Sequence, residues 1–202
     1  MSEWIDITRP IDETLVTWPG RARPQRRWEK RIAQGQHCNA SFWELSAHSG
    51  THMDAPLHFV DGGKSIDQIS PEVFIGECRV CDSAALDEAT ARSLAGVKRL
   101  LIKTGDADGC YEPLMTETIA SLLIEGGLVL LGTERLSIDD SRGQSFCLHH
   151  LFLGAGCVIV EGLQLRDVQD GSYRLSAAPL RLTGTEASPV RAFLQSTKAV
   201  PR

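Results

Sequence analysis

The 202-residue sequence predicts an α/β protein, and two observations carry that expectation. Extended segments dominate the first third. Beyond them, helix signals are followed by short apolar runs that end near an acid. Trp4, Ile5, Asp6, Ile7 and Thr8 alternate apolar and polar, and residues 25–33 and 39–45 look similarly extended. A short helix is expected over 86–95, with Asp82 or Ser83 near its start, and a strand over 99–103. Residues 116–125 form a good helix closed by Gly126 and Gly127, and residues 128–131 a buried strand ending near Glu134. The same rhythm recurs as a helix over 145–154, a turn at Gly154, Ala155 and Gly156, and the strand Val158, Ile159, Val160 running into Glu161. Ends of buried strands are where α/β proteins gather function, so Glu134 and Glu161 are expected to face one cavity.

Residues 1–202 are expected to form a single domain with a substantial core. A formal net charge of -5 argues against nucleic acid as the main partner. No apolar run approaches membrane length, and the start Met1, Ser2, Glu3, Trp4 lacks the basic and apolar regions of a signal peptide. The expected setting is cytoplasmic, with a small molecule as partner and no membrane. Cys38, Cys78, Cys81, Cys110, Cys147 and Cys157 are scattered. The lone C-x-x-C at Cys78 and Cys81 has neither the helix start of a redox motif nor a second pair to close a zinc site, so reduced, buried or half-buried thiols are expected. Pro and Gly are spread out, and no repeat or linker divides the chain.

The densest chemistry lies between residues 48 and 58, which read His48, Ser49, Gly50, Thr51, His52, Met53, Asp54, Ala55, Pro56, Leu57, His58. Imidazole and carboxylate are the usual ligands of zinc and manganese, and crowding them so closely does little for a core. Gly50 and Pro56 disfavour a continuing helix, so a turning loop is expected. The zinc-protease pattern H-E-x-x-H is not matched, because Ser49 stands where its glutamate would be. Further ligands must then come from elsewhere. Glu161 is an acid abutting a buried strand, costly unless something meets it, and His149 and His150 precede it by twelve and eleven residues. A helix followed by that strand lets His149 and Glu161 meet. The residues alone also admit a solvated His149 and a Glu161 paired with Arg166 or Arg181, whereas His37 reads as an ordinary surface or strand residue.

The run from Ala47 through His48, His52, Asp54 and His58 to Phe59 resembles the signature of the cyclase family of metal-dependent hydrolases, whose best-known members are bacterial kynurenine formamidases (arylformamidases). His149 and Glu161 match the spacing of its second motif. The stretches Ala178, Pro179, Leu180, Arg181, Leu182 and Ser188, Pro189, Val190, Arg191, Ala192 are similar to its C-terminus, and Trp18, Pro19, Gly20 to its N-terminal motif. The resemblance implies a mixed, barrel-like β-core with flanking helices and a homo-oligomer, dimer or tetramer. It also implies two divalent ions, zinc or alternatively manganese. His48, His52 and Asp54 would hold the first, Asp54, His149 and Glu161 the second, with Asp54 bridging and His58 as catalytic acid/base.

The activity so implied is amide hydrolysis through a metal-bound hydroxide, splitting N-formyl-L-kynurenine to formate and L-kynurenine in tryptophan catabolism, with Trp18 against the aryl ring. Phe42, Trp43 and Phe59 are further aromatic candidates, although aromatics beside strands are more often core. Two alternatives stay open: hydrolysis of another cyclic amide, lactone or ester such as isatin, and a non-catalytic metal-binding protein, in which His58 would have no duty. One departure bears on substrate rather than metal. Formamidases usually carry Asp after Trp-Pro-Gly, whereas Arg21 stands here and opens a basic segment over 21–27. That segment suits either an anionic substrate group or a solvated strand edge.

Overall fold

The extended first third and the later helix-and-strand units are both present in the computed structural model, which describes residues 4–105, 112–140 and 145–197. Residues 1–3 and Cys110, read above for export and thiol chemistry, lie outside the described residues. Along the chain run β1 (Trp4–Asp6), β2 (Gln25–Lys30), β3 (Ala40–Glu44), β4 (His52–Asp54), α1 (Pro71–Phe74), β5 (Ile75–Asp82), α2 (Glu88–Ser93), β6 (Arg99–Lys103), α3 (Glu117–Glu125), β7 (Leu130–Thr133), α4 (Cys147–Gly154), β8 (Val158–Glu161), β9 (Gly171–Ser176), β10 (Ala187–Pro189) and β11 (Phe193–Ser196). Among the described residues no helix is long and apolar enough to cross a membrane.

The main sheet has nine strands in the order β1-β11-β9-β5-β6-β7-β8-β4-β10. Its centre, β5 to β8, is parallel, with α2, α3 and α4 supplying the crossovers that parallel strands require. Antiparallel strands flank that centre on both sides. β10 at one edge reaches β11, next to the other edge, through only three residues, Val190, Arg191 and Ala192. So short a connection spans little more than ten ångströms, and the sheet must curl to bring its edges together. The barrel-like β-core implied by the resemblance is therefore present.

Strand alternation divides the interior in two. Leu101, Leu130, Val158 and Val160 face the inside of the curl with Met53, Leu175 and Leu194. Leu100, Ile102, Leu131 and Ile159 face outward beneath the helices, against Ile119, Leu123, Leu148 and Phe152. Both faces of β6, β7 and β8 are thus dry, which is why their sequences read as apolar runs.

Several boundaries differ from expectation. α2 begins at Glu88 because the Asp87 carboxylate, not Asp82 or Ser83, accepts the Thr90 N–H; Asp82 instead accepts the Ala84 N–H of a short 3₁₀ turn. β7 lies two residues beyond the predicted strand, its register fixed by Arg99 opposite Leu130 and Ile102 opposite Thr133 in the pairing with β6. The stretch expected to be all loop contains β4, a three-residue strand paired on both sides, with β8 and β10. β2 and β3 form a separate hairpin.

Where β8 ends, Gly162 has φ +71, and a Cβ there would lie 2.6 Å from the backbone oxygen of Gly50. Thr51 Oγ1 donates to the Gly162 carbonyl at 2.6 Å and accepts the Arg9 N–H at 2.8 Å, so this close approach docks the histidine-rich turn onto the strand end. Gly162→Ala should cost about 2–4 kcal/mol from left-handed strain and the backbone clash. The check is thermal melting, with a fall of roughly 5–15 °C for a chain of this size; an unchanged midpoint would refute the constraint.

Candidate metal centre

Sheet register assembles the site. His52 lies directly opposite Glu161 and Asp54 opposite Ile159, while Met53, opposite Val160, turns into the inner core. Opposed residues share a face of the sheet, so His52, Asp54 and Glu161 stand together on the helix-covered side, at the end of β8. α4 begins over that end and presents His149 there. The turn before β4 brings His48 alongside, its ring centroid 5.0 Å from that of His52 and 4.4 Å from that of His58.

All five expected ligands therefore converge. His48 Nδ1 is 2.9 Å and His52 Nε2 3.6 Å from Asp54 Oδ1. His149 Nε2 is 3.8 Å from Asp54 Oδ2 and 3.4 Å from Glu161 Oε1, and His52 Nε2 is 3.5 Å from Glu161 Oε2. The two oxygens of Asp54 thus face different histidines. Asp54 is 1% exposed, yet neither oxygen has a hydrogen-bond donor in alignment. Two ligands of one tetrahedral ion stand about 3.3 Å apart when each bond is about 2.0–2.1 Å, and the separations here scatter around that value. A buried carboxylate without donors, ringed by imidazole nitrogens, has the donor set of a cation site.

The far side of each ring is also determined. His48 Nε2 is 3.2 Å from Glu186 Oε1, His52 Nδ1 is 3.0 Å from the Gly50 carbonyl, and His149 Nδ1 is 2.6 Å from Asp139 Oδ2. An imidazole that donates its N–H to such an oxygen offers its other nitrogen as a lone pair. Asp139 has a second task, accepting the Leu148 and His149 N–H groups at the start of α4, where Phe146, at φ 44, provides no side-chain cap. No local motif marks either for its position: Glu186 lies 138 residues from His48, and Asp139, ten residues before His149, meets it only through the path of the chain into α4.

Electrostatics follow the same arrangement. Burial works against the charge of Asp54, but the adjoining His52, His149 and His48 hold its carboxyl well below the ordinary range. Burial alone would depress His149; Asp139, Asp54 and Glu161 instead push it up to about 12. His58, half-buried in the 3₁₀ turn Pro56–His58, is pushed down to about 4 by burial, against Asp54 and with help from His48 and His149. His48, Asp54 and His58 can also offer one ligand atom each within 4.8 Å, as can His52, Asp54 and Glu161.

These groups open onto a pocket of about 120 Å³ whose walls include Trp18, Arg21, Phe59 and Phe146. Trp18 and Phe59, both aromatic candidates in the sequence, line this pocket. Phe59 lies 4.7 Å from His149 and 5.3 Å from Phe146; the sequence does not mark Phe146. Phe42 and Trp43 sit instead on the β2–β3 hairpin under Arg27 and Arg26. His37 and His150 are exposed, His150 with its ring 5.1 Å from that of Phe59. Glu161 bonds to the Ile138 N–H rather than to Arg166 or Arg181. Cys78 and Cys81 are buried free thiols in β5, raised to about 12 and about 11 by burial, as expected of unreactive cysteines.

One expectation fails. Glu134 does not share the cavity of Glu161; it lines a separate one with Arg9, Gly105 and Leu163. Its carboxylate accepts the backbone N–H groups of Thr104, Gly105 and Leu165 at 2.8, 3.0 and 3.0 Å, tying the ends of three segments together.

Fold and site together define an α/β protein with a histidine–carboxylate centre at the end of a buried parallel strand. The model of the family described as "Putative cyclase" matches residues 5–140, and the chain belongs to the cyclase family. It is 36% identical to the kynurenine formamidase of Bacillus cereus strain ATCC 14579, over 96% of this chain and 98% of that protein. It is 32% identical to that of Bacillus anthracis, with the same coverage. Among solved structures it resembles a predicted metal-dependent hydrolase from Bacillus stearothermophilus, with TM-score 0.78 and 27% identity over 96% of this chain and 98% of that one. Isatin hydrolase A from Labrenzia aggregata, at 24% identity and TM-score 0.78 over 98% and 94% of the two chains, shares the fold.

Because Glu134 is buried with three backbone donors, Glu134→Ala should destabilise the protein by about 3–5 kcal/mol, since it strands them. Glu134→Gln, which keeps one acceptor, should cost less. Urea melts read the difference, and an unperturbed Ala variant would show that the three bonds do not hold the segments.

Proposed function

We propose that this chain is a metal-dependent amide hydrolase, an arylformamidase that converts N-formyl-L-kynurenine to formate and L-kynurenine. The observation that carries the reading is the convergence of His48, His52, Asp54, His149 and Glu161 around an unpartnered buried carboxylate, beside an aromatic pocket. Full-length relatives at 32–36% identity that bear the name kynurenine formamidase supply the substrate class.

The residues fit two divalent ions, zinc or alternatively manganese. His48, His52 and Asp54 would hold one, Asp54, His149 and Glu161 the other, the separate directions of the Asp54 oxygens suiting a bridge. Such ions supply water that ionises near neutral pH and a Lewis acid for the amide oxygen. Trp18, Phe59 and Phe146 enclose the aryl group and keep bulk water from it. His58 receives a proton from the attacking water and returns it to the amine as the C–N bond breaks, so that formate keeps the water's oxygen. Asp139, Glu186 and the Gly50 carbonyl hold the three imidazoles in orientation. A homo-oligomer, on the strength of family resemblance, and the cytoplasmic setting expected from the sequence complete the reading.

The nearness of His58 to His48 and Asp54 favours a second assignment, in which His58 is a ligand. The metal and the role of His58 are tested separately. Chelation should abolish formylkynurenine hydrolysis, followed in the ultraviolet, and lower the melting temperature, and elemental analysis of the active protein should find about two ions per chain. A single ion would remove His149 and Glu161 from the ligand set. His58→Ala should keep its metal and its fold while kcat falls by roughly 10²–10⁴. Loss of a metal equivalent would make His58 a ligand; full turnover would move the proton transfer to another group.

A further inference from the structure

Arg21 is exposed and borders two cavities. It lines the cavity of about 120 Å³ with Trp18, His58 and Phe59, and it also lines a neighbouring cavity of about 340 Å³ with Arg23, Glu44 and Ser46. Arg21 Nη1 donates to Ser46 Oγ at 3.2 Å, and that same oxygen accepts the His48 N–H at 3.2 Å. The guanidinium is thereby tethered to the turn that carries His48. It is an arginine wall shared by both spaces.

The other cations of this segment are engaged differently. Arg26 lies over Trp28 and Trp43, Arg27 over Phe42 and Arg31 over Trp28, all on the hairpin. Arg26 and Arg27 also approach Glu13 and Glu29. Among the described residues no carboxylate pairs with the guanidinium of Arg21 or Arg23. Two cations therefore face the outer cavity with their charge unmatched, and Glu44 is the acid in its wall.

Size decides what they meet. Sites for drug-sized molecules run to about 300–1,000 Å³, so the inner pocket, walled by Trp18, Phe59 and Phe146, does not enclose an aryl amide together with an amino-acid tail. The space adjoining it across Arg21 is the outer cavity. A guanidinium fork matches a carboxylate with two parallel N–H···O bonds, which a lysine cannot reproduce.

We propose that Arg21 is a specificity-determining residue that seats a carboxylate at the distal end of the substrate. Arg23 adds a second positive charge, and Glu44 faces the adjoining ammonium, so the outer cavity reads an α-amino-acid zwitterion. The assignment rests on the formamidase reading and sharpens it, selecting aryl formamides with an amino-acid tail over neutral ones and over uncharged cyclic amides.

The test compares N-formylkynurenine with N-formylkynuramine, the same molecule without its carboxylate, on the wild-type protein and on Arg21→Gln and Arg21→Lys. The wild type should prefer the carboxylate-bearing substrate by roughly 10- to 100-fold in kcat/KM, the worth of a charged hydrogen-bonded pair. Arg21→Gln should erase most of that preference through KM, losing far more on formylkynurenine than on formylkynuramine, and Arg21→Lys should fall between. Equal losses on both substrates, or a preference that survives in Arg21→Gln, would overturn the assignment. If the wild type hydrolyses both equally well, this assignment fails and the formamidase reading stands. If it hydrolyses neither, while isatin is opened, the formamidase reading fails and takes this one with it.

Discussion

Asp54 is a carboxylate 1% exposed, without an aligned hydrogen-bond donor, and neighboured by His48, His52 and His149. Removing such a group from water is expensive unless compensating charge arrives. The surrounding structure can be understood as holding that place open. β4 fixes the direction of Asp54 by pairing on both edges, and the contact between Gly50 and Gly162 fixes the height of the turn above the strand. Asp139 and Glu186 hold two of the rings from behind. Each constraint comes from a different part of the chain, so no single helix or loop owns the site.

Three buried acids show how donor number separates structural from chemical duty. Glu134 receives three backbone N–H groups and is saturated. Asp139 receives two and the His149 ring, and so joins a helix start to an imidazole. Asp54 receives none in alignment. A carboxylate whose lone pairs are consumed by backbone has little left to offer a ligand, whereas one faced only by ring nitrogens keeps its full capacity. By this criterion Glu134 and Asp54, both acids at the ends of dry segments, belong to opposite categories.

The same distinction explains what the sequence could convey. The strand at 99–103 and the helix closed by Gly126 and Gly127 are legible because their signals are local, a run of apolar residues or a turn of helix with its stop. The histidine-rich segment is legible because His and Asp are chemically unusual in such density, and the spacing of His149 from Glu161 because it matches the family's second motif. β4 is not, since three residues carry no period and its two pairings are with strands more than a hundred residues away. Glu134 and Glu161 look alike in sequence because each follows an apolar run. What separates them is which neighbours arrive from elsewhere, and no local pattern records that. Arg21 stands out in the sequence as a departure, but whether it lines the pocket depends on the path of the turn after Trp18, which no local pattern records.

The pairing of Trp4 with Gln195 and of Asp6 with Phe193 has a consequence for how the molecule comes into being. Among the described residues β1 pairs with no strand but β11, so its ladder waits for that strand to exist. At synthesis rates of about 5–20 residues per second, that wait is roughly ten to forty seconds. The parallel centre and the histidine–carboxylate cluster, complete in sequence by Glu161, can meanwhile gather on the emerging chain. Of the strands described, the first made is thus the last to be zipped in, and the curl of the sheet closes only as β11 arrives. Such long-range pairing predicts slow final assembly, with a period in which an unpaired edge strand is open to solvent and to other chains.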